Sequence, residues 1–243
     1  MNKEKFNQTI NTIMNEEHVK NGIGTLKEKT LHTIIKHYIE EDTTKHEIKV
    51  NSFIADIKYE NKIVEIQTQA FDKLRNKLNN FLTTYKVTIV YPIPYIKWLY
   101  WIDKDKSSKK RKSNKIGNIY DITYELYKIK YILPNPNLSI LILFINMDEY
   151  KYLNGWNKDK KKGASKYDLI PLELVDEIQI NDINDYSKFI PISLPKQFTS
   201  NDFKQLTKTR IHTTRVLLNI LYHIKLIKRV SKIRNSYVYE INN

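Results

Sequence analysis

The sequence contains no cysteine and only five glycines in 243 residues. Without a thiol there is no disulfide framework, no thiolate zinc site and no Cys nucleophile, and the chain suits a reducing compartment. So few glycines leave no Gly-rich phosphate loop and no Gly-x-Ser-x-Gly nucleophile turn. Long apolar runs are also missing. The longest, Ile140 to Ile145, falls far short of the ~20 residues that cross a bilayer. Met1 to Ile10 lacks the apolar stretch of a signal peptide, so the expectation is a soluble, cytoplasmic protein with no membrane partner. The six His residues have no Cys to complete a closed zinc site.

Acidic residues are outnumbered, 27 against 41 basic, for a net charge of +14. A composition dominated by Lys, Ile, Asn and Tyr raises Lys everywhere, so position says more than the total. Residues 196–243 hold ten basic and two acidic residues, 104–115 seven and one, and 158–166 five and one. Four of the six arginines (Arg210, Arg215, Arg229, Arg234) fall in the first of these segments. Segregated positive charge and clustered Arg point to a polyanion, since Arg contacts phosphate and guanine in a bidentate way that Lys cannot.

With 41% apolar residues a packed core is available. Residues 25–40 read as a helix: Thr25 and Glu28 have capping-box spacing, and Leu31, Ile34, Ile35 and Tyr38 form the apolar stripe. Strand signals follow at His46–Val50, Ser52–Lys58 and Lys62–Thr68. A helix is expected over Ala70–Thr84, a strand over Val87–Ile93 stopped by Pro92 and Pro94, and another over Trp98–Ile102. Lys104–Lys115 reads as a basic loop, 118–133 as a helix and Leu138–Asn146 as a buried strand. Residues 150–182 alternate poorly and include a second basic loop. Trp98 and Trp101 read as core, and Lys73 and Lys77 as solvated, with phosphate contact the alternative. The alternation of helices and strands predicts an α/β fold, a mixed sheet flanked by helices.

The last segment reads as a short capped helix from about Thr199, a turn, a helix from Thr209 to Ile224, and a hairpin across Arg234-Asn235-Ser236. This is the winged helix-turn-helix pattern. Arg210, His212, Thr213 and Arg215 would reach base edges, and Lys228, Lys232 and Arg234 would make the wing basic. A structural or dimerising wing domain is the alternative. The expected division is 1–180, a linker at 181–195, and 196–243. Arg111, Lys112 and Lys115 would track the DNA backbone, or else simply be solvated.

The segment SFIADIKYENKIVEIQT carries the chemistry. With Glu60-Asn61 as a two-residue turn, Asp56 falls opposite Glu65 and the two carboxylates repel. A face otherwise lined by Ile54 and Ile63 has reason to keep that pair if a cation sits between them, and two carboxylates with water and phosphate suit Mg²⁺. Glu28 shares a helical face with Leu31 and Ile35, and is either a third acid at this site or half of a capping box.

Helix with Glu, strand with Asp, strand with Glu-x-Gln, helix and strand together resemble the PD-(D/E)xK phosphodiesterase superfamily of restriction enzymes, junction resolvases and repair nucleases. The resemblance implies a restriction-endonuclease-like fold. It also implies that Asp56 and Glu65 bind Mg²⁺ (or Mn²⁺), that Gln67 orients the attacking water, and that Glu28 joins them. Ala55 stands where the pattern has Pro, and Gln67 where it commonly has Lys. The stretches EKTLHTIIKHYI, VEIQTQAF, VTIVYPI and SNKIGNIYDI resemble a widespread, functionally uncharacterised bacterial family. The order of nuclease then winged helix resembles transposon end-cutting endonuclease subunits. The leading expectation is a metal-dependent DNA endonuclease acting on double-stranded DNA. A non-cleaving DNA-binding regulator is the alternative, and an RNA-directed protein a third reading. A homodimer or an unknown protein partner stays open.

Overall fold

Short alternating segments around tight turns build the first half of the main sheet. A computed structural model of the chain describes residues 1–21, 30–102, 108–152 and 165–242. Within it β1 (His46–Val50), β2 (Phe53–Lys58) and β3 (Lys62–Ile66) form an antiparallel meander. The β2–β3 register pairs Ile57 with Val64 and Lys58 with Ile63, as the Glu60-Asn61 turn dictates, and Tyr59 N–H closes it on Lys62 O at 2.8 Å.

The helix expected over 70–84 is a 3-10 turn, Phe71–Leu74, running into α3 (Arg75–Phe81). Here α3 counts after two earlier helices. The first, α1 (Lys3–Asn21), is additional to the elements expected from the sequence, and α2 (Thr30–Ile39) is the described part of the helix expected over 25–40. The apolar stripe of α2 does what its spacing implies: Leu31, Ile34 and Ile35 are buried, each worth about 2 kcal/mol by area.

From β3 the chain crosses through α3 to β4 (Lys86–Ile102), which is parallel to β3. The two strands expected at 87–93 and 98–102 are one, because the prolines do not end it. Val90 C=O accepts from Gln67 N–H at 2.9 Å, so by alternation Pro92 and Pro94 turn toward the same edge, past the end of β3. A missing N–H breaks no ladder there. Further along, β5 (Ser108–Lys112) takes up that edge. This corrects the basic loop of 104–115: residues 108–112 are an edge strand, stabilised by cross-strand packing on β4 that a purely polar run does not advertise. Gly117 passes so close that an added Cβ would lie 2.1 Å from Pro94 O.

The helix expected over 118–133 is also broken. Asn118 and Asp121 form a capping box, followed by a 3-10 turn (Ile119–Ile122) and α4 (Thr123–Lys128). The chain then tightens into turns, with Ile132 N–H on Ile129 O at 2.8 Å, which delivers Ile129 and Leu133 to the core. β6 (Leu138–Tyr152) is parallel to β4, and β7 (Ser165–Ile180) is antiparallel to β6. β7 occupies the part of 150–182 that reads as irregular. Its register slips repeatedly against β6, and each slip breaks the period-two pattern. The second basic loop lies mostly outside the described residues.

Among the described residues seven strands make one mixed sheet, order β1-β2-β3-β4-β6-β7, with β5 beside β4. One face buries Phe6, Ile13, Leu31, Ile34 and Ile35 of α1 and α2. The other buries Phe71, Leu78 and Phe81 with α4 and the C-terminal helices. Those helices are α5 (Ser200–Thr207), capped by Thr199 and Asp202, and α6 (Ile211–His223). A three-stranded sheet of order β8-β10-β9 accompanies them, from β8 (Gln197–Thr199), β9 (Ile227–Ile233) and β10 (Ser236–Ile241). Residues 181–195 include a 3-10 turn with Tyr186 and Phe189 buried. Phe189, Phe198, Phe203 and Leu217 share one cluster with Phe71 and Phe81. No helix among the described residues is long and apolar enough to cross a membrane.

Candidate active site

The β2–β3 ladder stops at the Ile57–Val64 pair, and the strands part at the next position, where Asp56 and Glu65 sit. Ile66 N–H, released from the ladder, donates to Asp56 Oδ2 at 2.7 Å. From the α2 side, His32 Nε2 lies 3.3 Å from the same oxygen. Glu65 is 1% exposed. From the α3 side, Lys77 Nζ donates to its Oε2, while Oε1 is buried with no hydrogen-bond partner.

The two carboxylates are driven in opposite directions. Burial alone would raise Asp56, but His32, the Ile66 N–H and Lys77 outweigh it, so its carboxyl is held below the usual range. Glu65 is pushed up to about 7, first by burial and then by the charge of Asp56, with Lys77 opposing. Near neutral pH the pair therefore holds one firm negative charge and one shared with a proton. Such splitting marks acid–base and metal sites.

The direct pairing of Asp56 with Glu65 expected across β2 and β3 is not made: the ladder ends one pair short of them, and the charge of Asp56 still bears on Glu65. Gln67 lies one residue past β3, and its amide nitrogen donates to Gln69 O, within its own loop. Glu28 lies outside the described residues; the helix side chain found at Asp56 is His32, on α2. Lys77 corrects the solvated reading, with its side chain only 17% exposed against Glu65. Helical spacing aligns Lys77 with Leu74 and Phe81, a signal that it faces the sheet; nothing in the α2 stripe singles out His32. No group of three or more His, Cys, Asp or Glu able to hold a metal occurs among the described residues.

The other expected contact residues are spread over two surfaces. Arg111 and Lys112 are exposed on β5, and Lys115 pairs with Asp121 at 2.6 Å. Arg210 and Arg215 are exposed at the start of α6. His212 and Thr213 are engaged: Tyr124 Oη of α4 lies 2.9 Å from His212 Nδ1 and 3.1 Å from Thr213 Oγ1, with the Tyr and His rings stacked. Arg234 takes φ 52° in the β9–β10 turn, and Lys232 lies 5.8 Å from the Tyr237 ring centre. A concavity of about 540 Å³, remote from the carboxylates, is lined by Lys130, Lys225, Lys228 and Arg229 among others. Arg229 is held between Tyr222 and Tyr237, 4.2 and 4.0 Å from the ring centres.

A family model described as Domain of unknown function (DUF8091) matches residues 29–181, the span from α2 to the end of β7. A Treponema pallidum (strain Nichols) protein described as uncharacterized is 27% identical over 198 residues, covering 78% of this chain and 76% of that protein. No solved structure matches.

Proposed function

The chain belongs to the DUF8091 family, whose description names no activity, and from its own residues we propose that it is a divalent-metal-dependent endonuclease acting on DNA. The observation that carries this reading is the Asp56–Glu65 pair. A buried carboxylate with one oxygen on Lys77 and the other without a hydrogen-bond partner, beside a second carboxylate kept ionised, leaves an acceptor that a further cation would satisfy. The donor set is all oxygen, which fits Mg²⁺ or Mn²⁺ completed by water and phosphate. When bound there, such an ion supplies Lewis-acid polarisation of the phosphodiester and an acidified water.

The chain's own side chains do the rest. Lys77 puts an ammonium on Glu65 and supplies the positive charge that Gln67, in the usual Lys position of the PD-(D/E)xK pattern, cannot. His32 and the Ile66 N–H fix the orientation of Asp56. The parting of β2 and β3 at these carboxylates supports a restriction-endonuclease-like reading of the sheet. The order β8–α5–α6–β9–β10 supports a winged helix-turn-helix that binds duplex DNA through Arg210, Arg215, Lys232 and Arg234. A non-cleaving DNA-binding protein is the second reading, favoured by one observation: the Gln67 amide is spent on Gln69.

The test is cleavage of supercoiled and linear DNA with Mg²⁺, Mn²⁺ or EDTA. Wild type should cut only with metal. Asp56→Ala and Glu65→Ala should lose cutting, about 10³-fold or more, and keep DNA binding. Lys77→Ala should cut more slowly. Binding without cutting under every metal and DNA form would hand the assignment to the second reading.

A further inference from the structure

Beyond Pro94 the sheet outruns β3. There β4 runs between β5 on one edge and β6 on the other, and β5 pairs along that single edge among the described residues. Directly paired residues share a face. One row sets Lys112, Trp98 and Asp148 side by side, and the next sets Lys110, Tyr100 and Tyr150. The Tyr100 and Tyr150 rings stack with centres 4.7 Å apart and planes 11° from parallel. Lys110 Nζ lies 5.2 Å from the Trp98 centre and 5.2 Å from that of Tyr100. On the opposite face Lys151 Nζ lies 5.5 Å from the Trp101 centre.

These rings are half-buried and belong to neither apolar cluster, which corrects the expectation that Trp98 and Trp101 are core. The edge beside them reads Ser-Lys-Lys-Arg-Lys, with Lys110, Arg111 and Lys112 exposed. A run of cations suits no apolar protein partner. Duplex DNA offers phosphates but hides its base faces inside the stack, leaving the aromatic rows idle. An unpaired strand offers both phosphates and open π-faces, the pairing that single-strand binders use.

We propose that this extension of β4, β5 and β6 binds single-stranded nucleic acid, stacking bases on Trp98 and Tyr100 while Lys110 and Lys112, on the same face, meet the phosphates. Glu65 pairs with Ile89, so Trp98 stands about 30 Å further along β4 at ~3.3 Å per residue. The inference deepens the nuclease reading by naming its substrate class, partly unpaired nucleic acid, and rests on that reading only for the claim that the bound strand is then cut.

The test is fluorescence anisotropy of the full-length chain in EDTA with labelled dT15, U15 and a 15-base-pair duplex. Tight binding of either oligonucleotide supports the proposal, and the tighter one names the sugar. Tyr100→Ala and Trp98→Ala should each weaken oligonucleotide binding about tenfold and change duplex binding less than twofold. Tyr100→Phe should bind within twofold of wild type. Tyr100→Leu, which keeps apolar bulk but no ring, should fail like Ala, whereas a merely structural role would let Leu rescue. Unchanged dT15 and U15 binding in Tyr100→Leu, or an equal loss on duplex, overturns the proposal. Because binding is read without metal, it stands or falls separately from cutting: a protein that binds dT15 through Tyr100 and never cleaves refutes the nuclease reading alone.

Discussion

Glu65 should make the protein less stable as pH rises, in the absence of metal. Its carboxyl ordinarily titrates near 4.5 and is pushed up to about 7 in the fold. The folded state therefore holds a proton that the unfolded state releases, so between those values folding takes up a proton and stability falls with pH. Below about 4.5 the penalty is absent, and above about 7 it is complete. With Glu65 1% exposed, solvent screening is slight, and the full penalty is about 3 kcal/mol at 1.36 kcal/mol per pH unit. Between pH 5 and pH 8 it should grow by about 2.5 kcal/mol. Glu65→Gln keeps the shape and an acceptor for Lys77 but carries no charge. Urea denaturation of both proteins in EDTA, in steps from pH 5 to pH 8.5, isolates the effect, because every other titrating group subtracts out. The variant should gain on wild type by about 2.5 kcal/mol across that range, while Mg²⁺ at 100 times its dissociation constant should return ~2.7 kcal/mol to wild type alone. A stability difference that stays level within ~0.5 kcal/mol from pH 5 to pH 8 would refute the reasoning, since Glu65 would then titrate alike in both states.

Three further outcomes follow from named contacts. Lys77→Met removes the ammonium from a buried carboxylate and should destabilise by about 3 kcal/mol at pH 8; adding Glu65→Gln should recover most of it, as a double-mutant cycle by denaturation would read. Tyr124→Ala frees His212 and Thr213 at the start of α6, so duplex DNA affinity by mobility shift should rise if that helix end contacts bases, and stay unchanged if it does not. Gly117→Ala drives a methyl to 2.1 Å from the Pro94 carbonyl; the β4 backbone must shift, and a thermal melt should show a loss above about 3 kcal/mol.

Local pattern was enough wherever one short segment carried its own information. The β2–β3 register follows from a two-residue turn and period-two alternation, which also place Asp56 and Glu65 just beyond its last pair. The α2 stripe and the Thr199 capping box are likewise local, as is the helix–turn–helix–hairpin order at the C-terminus. What tertiary structure decided is everything that depends on an edge or a neighbour from elsewhere in the chain. Pro92 and Pro94 look like strand breakers until β3 is seen to end before them. The polar run of β5 becomes a strand only because β4 presents an open edge, and β7 stays paired through register slips because β6 holds it. His32 and Lys77 reach the carboxylates across the sheet, from helices on opposite faces. Ion pairing and desolvation depend on distance in space, which sequence separation does not encode; that is why the two carboxylates can be read from the chain and the split in their proton affinity cannot.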